Sequence, residues 1–297
     1  MASAVLGDEL KKQLHERIKA HRIDINERVE TFLGEYGSVN TQKLYSRALS
    51  HFFDYLAGKS INPLFVKAYE ADRYLRFLDG AEYSAGTKRL YIAGISTFYS
   101  HLERWDDIEK NPFRGAKRPK RERREKPVPT PEALEQIQRE LKLELEKTGR
   151  GAHNSKVRAN LLLPAIHVLS TYGLRVGALP TLRVEKDGTY TGESKGKPIQ
   201  GVFPSETLNL LKNHGRSGIR PFQDVSESRV RVAMLQLTRR LHEAGVIEAE
   251  YSPHSLRHFF AVEDYRTHKD IYRLRVLLDH AGVQVTENYL RSLGIEP

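Results

Sequence analysis

The sequence contains no cysteine among its 297 residues, which excludes disulfide frameworks, thiolate nucleophiles and cysteine-based zinc or iron–sulfur centres. It also lacks any apolar run near the roughly 20 residues that a membrane-spanning helix requires. The N-terminal stretch MASAVLGDELKKQLHER turns charged and amphipathic almost at once, unlike the apolar core of a secretory leader. These absences predict a soluble, cytoplasmic protein with no membrane partner. Acidic charge is in deficit: 38 Asp and Glu stand against 48 Lys and Arg, a formal net charge of +10. Such a surface attracts a polyanion and suits a nucleic-acid partner, although charge by itself indicates no fold.

Helical periodicity fills the first third. Leu44, Ala48, Phe52 and Tyr55 fall at spacings of four, four and three and line one helix face, and Ile92, Ile95, Tyr99 and Leu102 repeat the arrangement. The pattern predicts helices near residues 7 to 21, 24 to 36, 39 to 57, 63 to 78 and 84 to 104, with Asn40 or Thr41 and Ser84 as entry signals. Between Asn111 and Pro131 it collapses into NPFRGAKRPKRERREKPVPTP, with five prolines and, from Lys117 to Lys126, seven basic residues to two acids. This reads as a linker over 113 to 130. Fully extended it reaches about 60 Å, more than the roughly 34 Å of one duplex turn. Domains at 1 to 112 and 131 to 297 joined in this way could face opposite sides of DNA.

Beyond the linker, helices are expected near 131 to 147 and 156 to 172, the second kinked or shifted in its start by Pro164. Residues 182 to 203 carry turn signals at Asp187-Gly188 and Lys195-Gly196 between short β-prone runs, which predicts a small antiparallel sheet. Helices are then expected near 205 to 213, 226 to 244, 254 to 265, 268 to 279 and 285 to 292. The fold class is therefore mainly α (α+β): an N-terminal all-helical domain, then a mainly helical domain with a small sheet.

Four segments of the second half set ionisable residues among apolar neighbours: YGLRVGAL around Arg175, GESKGKP around Lys195, HSLRHFF around His254 and Arg257, and LLDHAGVQVTENYL around His280 and Tyr289. Singly, each has an ordinary explanation. A Gly-Leu-Arg arginine is usually ion-paired for structure, a lysine in a glycine turn is usually solvated, and one of 14 tyrosines is usually a packing residue. His254 and His258 stand four apart as a metal-binding pair can, but the Glu of HExxH is missing and no third ligand is evident.

In order and wording, the four segments resemble the tyrosine recombinases of the phage integrase family: a Gly-Leu-Arg turn, a β-hairpin lysine, a His-x-x-Arg box, then Leu-Leu-x-His-x-x-x-x-x-Thr-x-x-Tyr. The last motif stands as LLDHAGVQVTENY, with nine positions from His280 to Tyr289 and 23 from Arg257 to His280. The first half shares the likeness through TQKLYSRALSHFFDYL, AGTKRLYIAGISTFYSHL and NPF, so that it covers roughly residues 24 to 292.

The resemblance implies a site-specific recombinase that cuts and rejoins duplex DNA through a 3′-phosphotyrosine on Tyr289, for integration, excision or resolution, as a homo-tetramer on paired sites. It implies Arg175 and Arg257 as the guanidinium clamp on the scissile phosphate and His254 and His280 as hydrogen-bond donors to the developing charge. Lys195 would be the general acid for the 5′ oxygen, with Lys197 its nearest rival. The tyrosyl ester stores the bond energy, so neither metal, ATP nor another small-molecule cofactor is required. Thr41, Lys43, Arg47, Thr87, Lys88 and Arg89, on polar helix faces, and Lys120 and Arg121 in the linker are the candidate DNA contacts. Two departures stand out. Ala178 occupies a position that usually carries an acid behind the first arginine, so support for the arginines must come from elsewhere or be weaker. Only eight residues follow Tyr289, where relatives often carry a longer tail that docks into a neighbouring protomer, which leaves assembly through the tail open and makes the helix at 7 to 21 the candidate substitute. A topoisomerase IB-like or telomere-resolving enzyme, or a non-catalytic DNA-binding accessory protein, remains the alternative.

Overall fold

The structure, a computed structural model, describes residues 23–120, 127–216 and 218–297. The helix expected at 7 to 21 and the candidate contact Arg121 lie outside the described residues. The chain forms two compact units that divide between residues 123 and 124.

The first unit has four α-helices among the described residues: α1 (Ile25–Gly34), α2 (Val39–Ala57), α3 (Ala68–Gly80) and α4 (Ala85–Arg104), with a 3-10 turn at Pro63–Phe65. Helix α2 starts at a serine that the sequence pattern did not single out: Ser38, not Asn40 or Thr41, is the N-cap and accepts from the Thr41 N–H. Ser84 caps α4 as expected. The helix expected from residue 63 begins only at Ala68, because Pro63 opens the separate 3-10 turn. The buried stripe of α2 is Ala48, Leu49, Phe52 and Leu56. Its partner on α4 includes Gly94, where a Cβ would come within 2.9 Å of the Tyr45 ring, so a glycine lets the two helices approach. Phe52 gathers Tyr74, Tyr99 and Phe113 edge-on or tilted around it, with ring centres 4.6 to 5.9 Å away. Phe113, expected at the start of the linker, is thus a core residue at 2 % exposure. Asn111 fastens it: its side-chain oxygen accepts from the Phe113 N–H while its amide donates to Ser96 O and Ser100 Oγ.

In the second unit, α5 (Pro131–Glu146) is capped by Thr130 and packs against α6 (Ala152–Tyr172). Helix α6 starts polar and exposed, but from Ala159 to Ser170 it is almost wholly buried, with Leu161, Leu162, Leu163, Ile166, Val168 and Leu169 at the centre of the core. It begins at Ala152, four residues before the expected start, and runs on through Pro164. Pro164 leaves the Asn160 carbonyl without its usual intrahelical donor, a loss that burial of the surrounding Leu161, Leu162, Leu163 and Ile166 offsets. A 3-10 turn (Val176–Thr181) leads into the strands β1 (Arg183–Val184), β2 (Thr189–Ser194) and β3 (Lys197–Val202), antiparallel in the order β1-β2-β3. Both expected turns are present. In the β2–β3 hairpin Ser194 pairs with Lys197, and Lys195 and Gly196 between them have positive φ, the two-residue turn that matches strand twist.

Helices α7 (Ser205–Asn213), α8 (Glu227–Glu243), α9 (Pro253–His268), α10 (Ile271–Leu277) and α11 (Val283–Arg291) complete the unit. Helix α10 is shorter than the stretch expected from 268 to 279, because Lys269 adopts a left-handed conformation and Asp270 caps a fresh start. A separate apolar cluster of Ala261, Tyr265, Leu274, Leu278 and Leu290 joins α9, α10 and α11, with Tyr289 packed at its edge. Glu144 of α5, fully buried, is held by Arg158 of α6 and Arg240 of α8, so its carboxylate is compensated where a lone charge would be costly.

The chain leaves α6 through a turn that only glycine fits. Gly173 closes the helix at φ +62, and a Cβ there would lie 2.3 Å from the Phe260 ring of α9. Gly173→Ala is therefore expected to lower unfolding stability by more than about 1 kcal/mol, the left-handed penalty alone, read from the urea midpoint. An unchanged midpoint would mean that Phe260 moves aside and the turn has no need of glycine.

Candidate active site

The turn ending α6 places Arg175 in extended backbone just before the 3-10 turn, and its guanidinium donates to Ser194 Oγ at 3.4 Å. Arg257 lies on α9 at 4 % exposure. Its Nη1 donates to Gly173 O at 2.5 Å and its Nη2 to Leu278 O at 2.6 Å. Two backbone carbonyls thus aim this guanidinium, and five N–H donors are more than those two acceptors occupy. Burial, then the neighbouring Arg175, pushes Arg257 down to about 10, with Tyr289 and Asp279 acting the other way. It remains a cation at neutral pH. The missing acid at position 178 is explained in part: Ala178 is fully buried in the core, and Arg257 takes its support from carbonyls.

Tyr289, half-buried on α11, directs its hydroxyl to His258 Nδ1 at 2.7 Å. Its ring centre lies 5.2 Å from that of His258 and 5.3 Å from that of His280. Burial pushes the phenol up to about 12, against the opposing pull of Arg257 and Arg175. His280 is pushed down to about 4 by burial and then by Arg257 and Arg175, so it is neutral at neutral pH. Its Nδ1 meets the hydroxyl of the fully buried Thr286 at 3.1 Å. With Thr286 donating there, the ring proton sits on Nε2, where it can be offered to an anion.

Arg175, Arg257, His280 and Tyr289 therefore converge. Lys195 occupies the exposed turn next to Ser194, the residue that Arg175 touches. Lys197 lies 3.7 Å from Asp279 across to the turn after α10, which favours Lys195 over its rival as the available amine. His254 is exposed, with its ring 4.4 Å from that of His258. His258 carries the contact that sequence reasoning missed: it stands directly after Arg257, and the motif drew attention to His254 instead. The i, i+4 spacing of the two histidines was the available signal, and it points to a shared face toward Tyr289. Among the described residues, no three His, Asp or Glu side chains cluster as a metal site would require.

In the first unit, Lys43 and Arg47 stay exposed and line a concavity of α2 and α4 together with His51, Tyr83 and Tyr91. Three of the other candidates, Thr87, Lys88 and Arg89, have structural partners. Thr41 lies in the first turn of α2, and Thr87 shares a hydrogen bond with Ser84 at 2.9 Å. Lys88 donates to Asp79 O and Arg89 to Pro119 O, each at 2.7 Å. Lys120 is exposed at the end of the first described stretch.

No family model matches the chain. It is similar over nearly its whole length to a tyrosine recombinase XerC of Pelobacter propionicus, at 25 % identity over 93 % of this chain and 90 % of the relative. A tyrosine recombinase XerA of Pyrococcus furiosus is 26 % identical over 93 % of this chain and 92 % of the relative. Among solved structures, a lambda integrase dimer bound to a COC′ core site superposes with a TM-score of 0.67 at 16 % identity, covering 96 % of this chain and 82 % of that one. XerH recombinase in a post-cleavage complex with palindromic difH substrate gives 0.62 at 16 % identity, with 84 % and 76 % covered. The mainly helical fold with a three-stranded antiparallel sheet is thus that of the integrases.

The depressed His280 has a consequence for stability. The unfolded chain binds this proton near pH 6.5, the folded protein only near pH 4, so acidification between those values favours the unfolded state. Stability from this group is complete above pH 6.5 and is lost as pH falls toward 4. His280→Gln should flatten the dependence of the urea midpoint on pH in that window. An unaltered slope would show a solvated ring.

Proposed function

We infer that this chain, a member of the tyrosine recombinase family, is a site-specific DNA recombinase that cleaves and rejoins duplex DNA. The observation that carries the reading is the Tyr289 hydroxyl, held 2.7 Å from His258 Nδ1 and set beside the Arg257 and Arg175 guanidiniums, which pull its phenol toward ionisation. A phosphodiester repels a nucleophile until its non-bridging oxygens are neutralised. Two fork-shaped cations do this better than two ammoniums, and Arg257 comes with its orientation already set by carbonyls.

In the mechanism we propose, Arg175 and Arg257 bind the scissile phosphate, with His280 Nε2 and His254 donating to the oxygens that gain charge. Tyr289 Oη attacks phosphorus and the 5′ oxygen leaves, protonated by Lys195 from the hairpin turn. The 3′-phosphotyrosine conserves the bond energy, and attack by a 5′ hydroxyl from a second site completes the exchange without a metal or nucleotide. Exchange of both strands between two duplexes requires four cuts, and one chain supplies one Tyr289. A homo-tetramer on paired double-stranded sites is therefore the proposed active unit. Lys43 and Arg47, exposed on α2, are the proposed phosphate or base contacts of the first unit. The work is assigned to the cytoplasm, where such DNA is available, and no helix among the described residues is long and apolar enough to cross a membrane.

Duplex DNA nicked near the scissile phosphate tests this, because the short fragment diffuses away and traps the covalent intermediate. Tyr289→Phe should fold and bind DNA yet give no slow-migrating band on a denaturing gel. Arg175→Lys should bind but lose about 10²-fold or more in adduct rate, the scale of a lost preorganised donor. A full-strength adduct from the Phe variant would overturn the assignment of the nucleophile.

A further inference from the structure

Attack by Tyr289 requires that its hydroxyl lose a proton, and none of the roles assigned so far receives it. The phenol, pushed up to about 12, is scarcely ionised at neutral pH, so the group that takes the proton matters for the rate. Two histidines, His258 and His280, meet the ring and a third, His254, lies against His258, and they are not equivalent. His280 has its Nδ1 engaged by Thr286 and is pushed down to about 4, which makes it a weak acceptor and a good donor. His254 stands on the exposed side of His258, ring against ring. His258 is 2 % exposed, and its Nδ1 lies 2.7 Å from Tyr289 Oη, the reach a proton transfer needs.

We propose that His258 is the general base of strand cleavage: its Nδ1 takes the Tyr289 proton as Oη bonds to phosphorus. The inference rests on the recombinase reading above and adds to it a residue outside the His-x-x-Arg pair. The step balances. The Oη–H bond breaks and Nδ1–H forms; Oη–P forms and P–O5′ breaks, with the proton on the leaving oxygen supplied by Lys195. On rejoining, a 5′ hydroxyl attacks and gives its proton to the now neutral Lys195 amine, Oη departs from phosphorus, and the His258 imidazolium returns its proton to Oη. Nδ1 accepts in this scheme, so the neutral ring carries its proton on Nε2. The positive charge that forms on the ring stands beside His254 of its own helix and beside Tyr289, on which Arg257, Arg175 and His280 also converge. The phosphate held by the two guanidiniums supplies the compensating negative charge.

The test is the single-turnover rate of adduct formation on the nicked duplex for the full-length wild type, His258→Asn, His258→Gln and Lys195→Ala. Each is measured from about pH 5 to about pH 9, with an oxygen or a sulfur as the bridging 5′ leaving atom. We expect both His258 variants to bind DNA but to react about 10²-fold or more slowly, the scale of general-base catalysis. Their residual rate should climb with pH as free phenolate takes over, while the wild type levels off above an acid limb. Sulfur, which leaves without a proton, should restore Lys195→Ala and leave the His258 variants slow. Wild-type rates in both variants, a deficit that is the same at every pH, or full rescue by sulfur would each overturn the proposal. So would a wild-type rate that is flat down to about pH 5, a result that needs no variant to fold. If the wild type forms no adduct on Tyr289, it is the recombinase reading that falls; if it does and the His258 variants match it, only this inference falls.

Discussion

The Arg257 guanidinium is the point through which the second unit is organised. A buried cation is costly unless its donors are met, and here the acceptors are two main-chain carbonyls, Gly173 O at the end of α6 and Leu278 O at the end of α10. Those carbonyls lie 84 and 21 residues away in sequence, so one side chain ties the central helix and the helix before Tyr289 to α9. The same contacts that hold the fold also fix the direction of the fork. Binding geometry and folding geometry are therefore not separable at this residue. Side chains one step further out depend on it: its charge offsets part of the burial cost at Tyr289 and helps to hold His280 neutral.

Around that cation the site divides its protonation states by environment. Arg257 stays charged, His280 stays neutral, and the Tyr289 phenol stays protonated at neutral pH. Burial alone would raise the phenol further than it is raised, and the two arginines offset part of that cost. In the proposed mechanism, a nucleophile poised in this way is suited to a phosphate that brings its own negative charge into the clamp.

Much of this was legible in the sequence, for reasons that differ by element. Helices α2 and α4 announce themselves because one apolar stripe repeats at helical spacing, and the hairpin does because Lys195-Gly196 supplies the turn its strands require. The order of Arg175, Lys195, Arg257, His280 and Tyr289 was readable because each stands in a short, distinctive segment. Other features were hidden because they depend on tertiary contacts. The unbroken run of α6 through Pro164 comes from its enclosure, and Phe113 could be read as linker until Phe52, Tyr74 and Tyr99 were found around it. Thr286 and Ser194 are ordinary polar residues whose roles appear only when His280 and Arg175 are placed against them. His258 was visible as half of an i, i+4 pair, but the partner that gives it meaning is 31 residues away.

The central claim is that one tyrosine carries the DNA, and locating the covalent link tests it most directly. Adduct trapped on nicked duplex, digested with trypsin and nuclease, should yield one modified peptide in the mass spectrum. The account predicts residues 276 to 291, VLLDHAGVQVTENYLR, in which Tyr289 is the single tyrosine among the chain's 14, with the mass of a nucleotide remnant on that residue. A remnant on any other peptide, such as one holding Tyr265 or Tyr272 from the neighbouring helices, would contradict it.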